Sequence, residues 1–257
     1  MAHSRNHDSC PVTATLVIQS QRFPLPFAWL QACLDSVAGW ARLNGYEYRF
    51  LGDEIFDQVV PALLEKAGGR SVIATDLARL ALLQRGLDQG FDRVVWCDAD
   101  FLIFRPEAFV LPPAEFALGR EVWVQLDQGG RPRAYPKVHN ALLMFQRANR
   151  FLEFYADTAQ RLVRLYQGGM PPQFIGPKLL TALHNIARFP VMETAGMLSP
   201  CVMRDILNGG GDALTLFLQE SPAVLAGANL SSSLSAREGF GDAEMESLIR
   251  KLLVDGL

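Results

Sequence analysis

Val94-Val95-Trp96-Cys97-Asp98-Ala99-Asp100-Phe101-Leu102-Ile103 sets two carboxylates, Asp98 and Asp100, between two apolar runs. The first run, from Arg93 to Cys97, is short and β-branched and predicts a buried strand. Carboxylates at i and i+2 point to one side of an extended chain, here just past the end of that strand. In a parallel sheet this is the carboxyl edge, where open α/β folds bind ligands. Two hard oxygen donors there suit Mg²⁺ or Mn²⁺, ions that bridge phosphate oxygens. The plainer alternative is a solvated turn ending a strand. Phe101-Leu102-Ile103-Phe104 follows at once, so the pair sits between buried segments rather than on a loop tip.

Working backwards, Ala74-Thr75-Asp76-Leu77-Ala78-Arg79-Leu80 opens a helix predicted over Thr75 to Gln89, closed by Gly90. Asp76 and Arg79 are spaced i, i+3 and share a face. One account makes Asp76 a favourable charge at a helix N-terminus with Arg79 as its surface partner. The other makes them a grip on sugar hydroxyls and on a phosphate or sugar oxygen. Further back, residues 12–19 predict a first strand, 26–44 a helix, Tyr46–Leu51 a second strand, and Asp53 caps a helix to about Ala67. Strand and helix alternate over the first hundred residues, which predicts a mostly parallel, doubly wound α/β sheet.

Beyond the carboxylates the pattern is less regular. Strands are predicted near 121–126, 138–145 and 223–227, helices near 148–166, 177–187 and 242–254, and loops at 105–113, 127–136 and 168–177. No solenoid-length repeat or low-complexity linker appears, so one domain is expected.

Composition narrows the function classes. The chain has 257 residues, 24 Lys+Arg against 27 Asp+Glu, and a hydrophobic fraction of 49%. Disorder is excluded, and a net charge of −3 argues against a nucleic-acid binder. Cysteines at 10, 33, 97 and 201 contain no C-x-x-C pair, which fits neither a zinc ribbon nor a disulfide framework and suits a reducing compartment. The first 20 residues lack signal-peptide architecture, and no apolar run reaches about 18 residues. A cytoplasmic protein is the expectation.

In order and spacing, T-D-L-A-R, a helix, and then V-V-W-C-D-A-D resemble the GT-A-fold glycosyltransferases. The resemblance is to the branch with an S/T-D-x-x-R helix before its D-x-D strand: Och-type mannosyltransferases, related capsule and lipopolysaccharide enzymes, and the clostridial glucosylating toxins. It spans roughly residues 12–235, with its specific motifs on about twenty positions. The fold it implies is a Rossmann-like, mostly parallel sheet flanked by helices. A nucleotide-sugar half would cover about 12–105 and an acceptor-side half about 106–235, with a C-terminal helix at about 241–255.

The resemblance implies roles residue by residue. Asp76 and Arg79 would contact the donor sugar, Asp98 the ribose or sugar, and Asp100 the metal that holds the diphosphate. Asp98, Asp100 and Arg79 would carry catalysis. Trp96 would lie in the donor pocket, with Ile18 and Gln19 beside the base. Val138-His139-Asn140 resembles the strand whose Asn faces the donor sugar, and Gly176-Pro177-Lys178-Leu179-Leu180-Thr181 a G-P-x-x-[LW]-T helix start. There Gly176 permits close backbone approach and Pro177 suits a first helical turn. Many GT-A enzymes close their metal site with a C-terminal histidine, and none follows His184 here. In the toxin-like branch an Asn-x-Ser segment does so, which makes Asn229 and Ser231 candidates to join Asp98 and Asp100 around Mn²⁺ or Mg²⁺. His139 reads as a hydrogen-bonding core or pocket residue and His184 as structural.

The implied reaction moves a sugar from a UDP- or GDP-linked donor to a hydroxyl of a glycan, lipid-linked or protein acceptor, with retention, as in bacterial surface-glycan or glycolipid synthesis. Two rivals remain: a haloacid-dehalogenase-like phosphatase using Asp98 and Asp100, and an inactive GT-A-like domain that binds a sugar or a partner. Arg147, Arg150, Arg161 and Arg164 fall in one sector of the 148–166 helix, with Phe151, Tyr155, Leu162 and Tyr166 in another. That pattern reads as an ordinary amphipathic surface helix or as peripheral contact with the inner membrane face.

Overall fold

A computed structural model describes residues 13–69, 71–147 and 149–257. In chain order the elements are β1 (Thr15–Ser20), α1 (Leu30–Leu43), β2 (Glu47–Leu51), a 3₁₀ turn (Asp53–Gln58), α2 (Pro61–Lys66), α3 (Val72–Asp88), β3 (Arg93–Cys97), β4 (Phe101–Ile103), β5 (Phe116–Leu126) and β6 (Pro132–Gln146). There follow α4 (Arg150–Leu165), α5 (Pro177–Ala187), β7 (Val191–Met192), β8 (Ala195–Met197), α6 (Pro200–Asn208), α7 (Asp212–Glu220), β9 (Gly227–Asn229), α8 (Ser232–Arg237) and α9 (Asp242–Asp255).

Six strands form the central sheet in the order β2-β1-β3-β6-β5-β7. β1 pairs in parallel with β2 and β3, and β5 with β7, while β6 runs antiparallel to both β3 and β5. The chain is thus an α/β domain with a mostly parallel central sheet. A smaller sheet, β4-β9-β8, pairs Phe101 with Asn229 and so brings residues more than a hundred positions apart to one edge.

Period-two alternation divides the core. Leu16, Ile18, Val94, Trp96, Leu143 and Phe145 face α3, α4 and α5, whereas Val17, Val95, Cys97, Leu142 and Met144 face α1. A third cluster packs α6, α7 and α9 under Val122 and Val124 of β5. Helix α3 lies close against the sheet at Gly86, where a Cβ would stand 2.7 Å from Val94 Cγ1. That approach fixes the height at which Asp76 and Arg79 meet the strand ends.

Several predicted elements shift. The helix expected from Asp53 to Ala67 is a 3₁₀ turn followed by the short α2, because Pro61 interrupts the chain where a helical N–H is needed. Helix α3 starts at Val72, since the Ser71 hydroxyl caps the Ala74 amide. The segment 127–136 is no loop over most of its length: a turn at 127–131 joins β5 and β6 into a long hairpin. Its prolines are tolerated because β3 pairs only with 142–146, leaving the other end of β6 with one free edge. Arg147 lies ahead of α4 and binds the Gly90 carbonyl and, at 3.4 Å, Asp92, so it is not part of that helix's face. Arg150, Arg161 and Arg164 are exposed on α4 together with Glu153 and Asp157.

Cys33, Cys97 and Cys201 are free thiols. Residues 1–12, which include Cys10, most of the segment read for a signal, and Val12 of the predicted first strand, lie outside the described residues. Among the described residues no helix is long and apolar enough to cross a membrane.

Candidate functional site

The ends of β1 and β3, the start of α3 and the β9–α8 junction border a cleft of about 560 Å³. Arg79, Trp96, Asp98 and Asp100 all line it, so the carboxylate pair does face a cavity at the sheet's carboxyl edge. Thr75, Arg22 and Ser232 line it as well.

Asp98 is anchored by charge. Arg79 Nη2 donates to its Oδ1 at 2.8 Å, and Trp96 Nε1 donates to the same oxygen at 2.7 Å. Arg79 itself lies over the Trp96 ring, 5.0 Å from its centroid, and donates through Nη1 to the Asn140 carbonyl at 2.5 Å. Asp76 Oδ1 stands 3.6 Å from Arg79 Nη2 and accepts from Asn140 Nδ2 at 2.7 Å. Asp76 and Arg79 are therefore buried partners, only 3% and 5% exposed, and not the surface pair of the plainer account. Asp76 Oδ2 and Arg79 Nε are buried without a hydrogen-bond partner among the described residues. Native proteins seldom leave such atoms unpaired away from functional sites.

Desolvation raises the Asp76 carboxyl to about 6 against the lowering pull of Arg79, with Asp98 adding like charge. The Asp98 carboxyl is also raised, by desolvation and then by Asp100, against Arg79 and Trp96. Its side chain keeps 27% exposure, which together with the ion pair tempers that rise.

Asp100 is held differently. Asn229 Nδ2 donates to Oδ1 at 2.5 Å and the Ser232 amide to Oδ2 at 2.8 Å. Its backbone carbonyl accepts from the Leu230 amide at 2.9 Å. All these donors are neutral, and among the described residues no ion pair involves Asp100. Asn229 Oδ1 is occupied by the Ser231 amide, and Ser231 Oγ points to the Leu198 carbonyl. Asn229 and Ser231 thus shape the Asp100 carboxylate and present it no oxygen of their own. Ser231 adopts a left-handed conformation, φ 49°, which aims the next amide at Asp100.

A divalent ion fits this donor set. Mg²⁺ and Mn²⁺ need only one or two protein carboxylates when phosphates and water complete the shell. The described residues contain no group of three or more His, Cys, Asp or Glu able to hold a metal by themselves.

The remaining predicted positions separate. Gly176 stands against the site: a Cβ there would lie 2.6 Å from Asn140 Nδ2 and 2.8 Å from Asp76 Oδ2. Ile18 and Gln19 are buried behind the cleft, and Gln19 Nε2 donates to the Asp98 carbonyl at 3.0 Å. Ser20, Gln21 and Arg22 form the wall there instead, one to four residues further along the chain. A polar run such as Ser20-Gln21-Arg22, just past a buried strand, is itself the sign of a cleft wall. His139 is fully buried, donating through Nε2 to the Ala195 carbonyl at 3.3 Å while Nδ1 accepts from the Ala141 amide. Burial lowers it to about 4, so it is a neutral core residue. His184, on α5, is half-buried beside Phe189.

Fold and site together define an α/β protein with a carboxylate-bearing ligand cleft at the sheet's carboxyl edge. No protein-family model matches the chain, and no curated protein matches it. Solved structures that it resembles include a glycosyltransferase involved in glycosylation of the major capsid protein of PBCV-1. That match has 11% identity, TM-score 0.47, and covers 92% of this chain and 98% of the other. Another is the galactosyltransferase LgtC in complex with donor and acceptor sugar analogs: 12% identity, TM-score 0.45, covering 92% and 95%.

Proposed function

We propose that this protein transfers a sugar from a nucleoside-diphosphate sugar to an acceptor hydroxyl, with Mn²⁺ or Mg²⁺ as cofactor. The observation that carries the reading is the pair of carboxylates on one cleft wall. Asp98 is neutralised by a buried arginine, whereas Asp100 is held ready by uncharged donors. A diphosphate leaving group needs positive charge placed where its own negative charge develops. When bound at Asp100, a divalent ion supplies that charge and orients the phosphates. Arg79 fixes Asp98 on the cleft wall, its own orientation set by Asp98 and the Trp96 ring.

Asp76 lies behind the cleft wall, buried against Gly176, and acts by holding Arg79 at 3.6 Å and Asn140 at 2.7 Å. Among the described residues, Asp98 and Asp100 engage Arg79, Trp96, Asn229 and the Ser232 amide, and neither is set against a base as an activated nucleophile would be. A same-face transfer assisted by the leaving phosphate, with retention, needs none. The donor is UDP- or GDP-linked, and the acceptor is a glycan, lipid-linked or protein hydroxyl in surface-glycan or glycolipid synthesis.

A hydrolysis screen of UDP- and GDP-sugars with and without Mn²⁺ tests this directly. Metal-dependent hydrolysis by the wild type that is lost in Asp100→Ala is the expected result. Nucleotide binding without any turnover favours the inactive binding domain. Phosphate release from simple phosphate esters, unaffected by nucleotide sugars, favours the phosphatase reading.

A further inference from the structure

The cleft is not the only polar concavity near Gly176. A groove of about 390 Å³ runs between α5 and the β5–β6 hairpin, beginning at Pro177, the residue after Gly176. Lys137 lines it from β6, three residues before Asn140, which is about 10 Å along a strand rising roughly 3.4 Å per residue. The groove and the cleft have no lining residue in common, but Gly176, next to Pro177, packs on Asn140 and Asp76 and so sets the groove beside the network behind the donor cleft.

Its chemistry is that of polyhydroxylated ligands. Glu121, 7% exposed, faces Lys137 Nζ at 3.7 Å, and Gln173, Thr181 and Asn185 add amide and hydroxyl groups. The hairpin extends this surface. Glu121 pairs in register with Lys137 and Trp123 with Tyr135, so alternation places all four on the same side, opposite the buried Val122 and Val124. Trp123 is half-buried and Tyr135 is 43% exposed. Aromatic rings beside carboxylate, amide and hydroxyl groups match a saccharide, which offers an apolar C–H face and a rim of hydroxyls. An apolar partner would desolvate the Glu121–Lys137 pair without new hydrogen bonds, and a strongly anionic one would meet Glu121.

We infer that this strip binds the saccharide chain of the acceptor, leading from Tyr135 and Trp123 past the Glu121–Lys137 pair to the donor site; it rests on the transfer reading above. The acceptor is then a growing oligosaccharide, with its terminal hydroxyl at the cleft and its earlier units along the hairpin.

Saturation-transfer NMR with oligosaccharides released by partial acid hydrolysis of bacterial surface polysaccharides tests the strip. Exposed positions keep the variants folded, so Tyr135→Ala and Asn185→Ala are compared with the wild type. The wild type is expected to saturate at least one component, and each variant to bind it at least fivefold more weakly. UDP and GDP titrations with Mn²⁺ should be unchanged in both variants. No saccharide signal in the wild type, or equal signals in all three proteins, overturns the strip. A saccharide signal lost in the variants while the wild type binds neither nucleotide upholds the strip and overturns the transfer reading instead.

Discussion

Asp98 and Asp100 stand two residues apart at one strand edge, and the chain supports them in opposite ways. Asp98 belongs to a dense, buried, charged network of Arg79, Asp76, Trp96 and Asn140, built from α3, β3 and β6. Asp100 belongs to a neutral cradle of an asparagine amide and a backbone N–H, supplied by β9 and α8. The first region sets its two carboxylates around one guanidinium inside the fold and gains rigidity. The second fixes geometry and leaves the negative charge for something external. Neighbouring residues of identical type are thereby given different chemistry by the elements around them.

Removing Arg79 strikes the charged side hardest. Arg79→Ala leaves two buried carboxylates without their cation, and breaking such a pair destabilises by about 3–5 kcal/mol. Denaturant unfolding should show that loss, and stability at or near the wild-type value would contradict the network. On the neutral side, Asp100→Ala removes the hydrogen bonds from Asn229 and the Ser232 amide and should stay folded, with a melting point lowered at least as far as in Asn229→Ala. Its metal-dependent donor hydrolysis should drop about a hundred- to a thousandfold, the size of losing one electrostatic stabiliser of a transition state.

Titration distinguishes the regions next. The unfolded chain protonates His139 near 6.5 and the folded chain only near 4, so stability falls as pH drops through that window. Asp76 acts with the opposite sign: folded it takes its proton near 6, unfolded near 3.8, so its contribution is full at low pH and lost as pH rises through 6. The two offset each other in the wild type between roughly pH 4 and 6. Asp76→Asn should uncover the His139 loss, roughly 3 kcal/mol across the window at about 1.4 kcal/mol per pH unit. Unfolding midpoints measured from pH 7 to pH 4 check this, and equal slopes in both proteins would refute it. The smallest expected effect is at Asn229→Ala, which removes one hydrogen bond to a charged group, about 1.5–3 kcal/mol. Its distinctive readout is a higher Mn²⁺ concentration for half-maximal hydrolysis.

Legibility in the sequence followed local punctuation. Strand β3 was readable at both ends because Arg93–Cys97 is an apolar β-branched run bounded by charge, and α5 because Gly176-Pro177 marks its start. The Asp76–Arg79 spacing and the carboxylate pair were readable because they are short-range patterns. The β5–β6 hairpin was not, since Gly129, Gly130, Pro132 and Pro136 carry loop chemistry and the free edge that tolerates them is a tertiary fact. Helices α6 and α7 escaped because nine residues give little periodicity. Nor does sequence show that Asn229 turns its amide to Asp100 while Ser231 turns its hydroxyl away, because that depends on the left-handed turn at Ser231.

The pairing of Phe101 with Asn229 sets an order of events during synthesis. Once residue 140 has left the ribosome, every member of the Asp98 network exists and can settle. The carboxylate two positions later keeps waiting until residue 232 has emerged, so the protein acquires its charged scaffold early and its competence late.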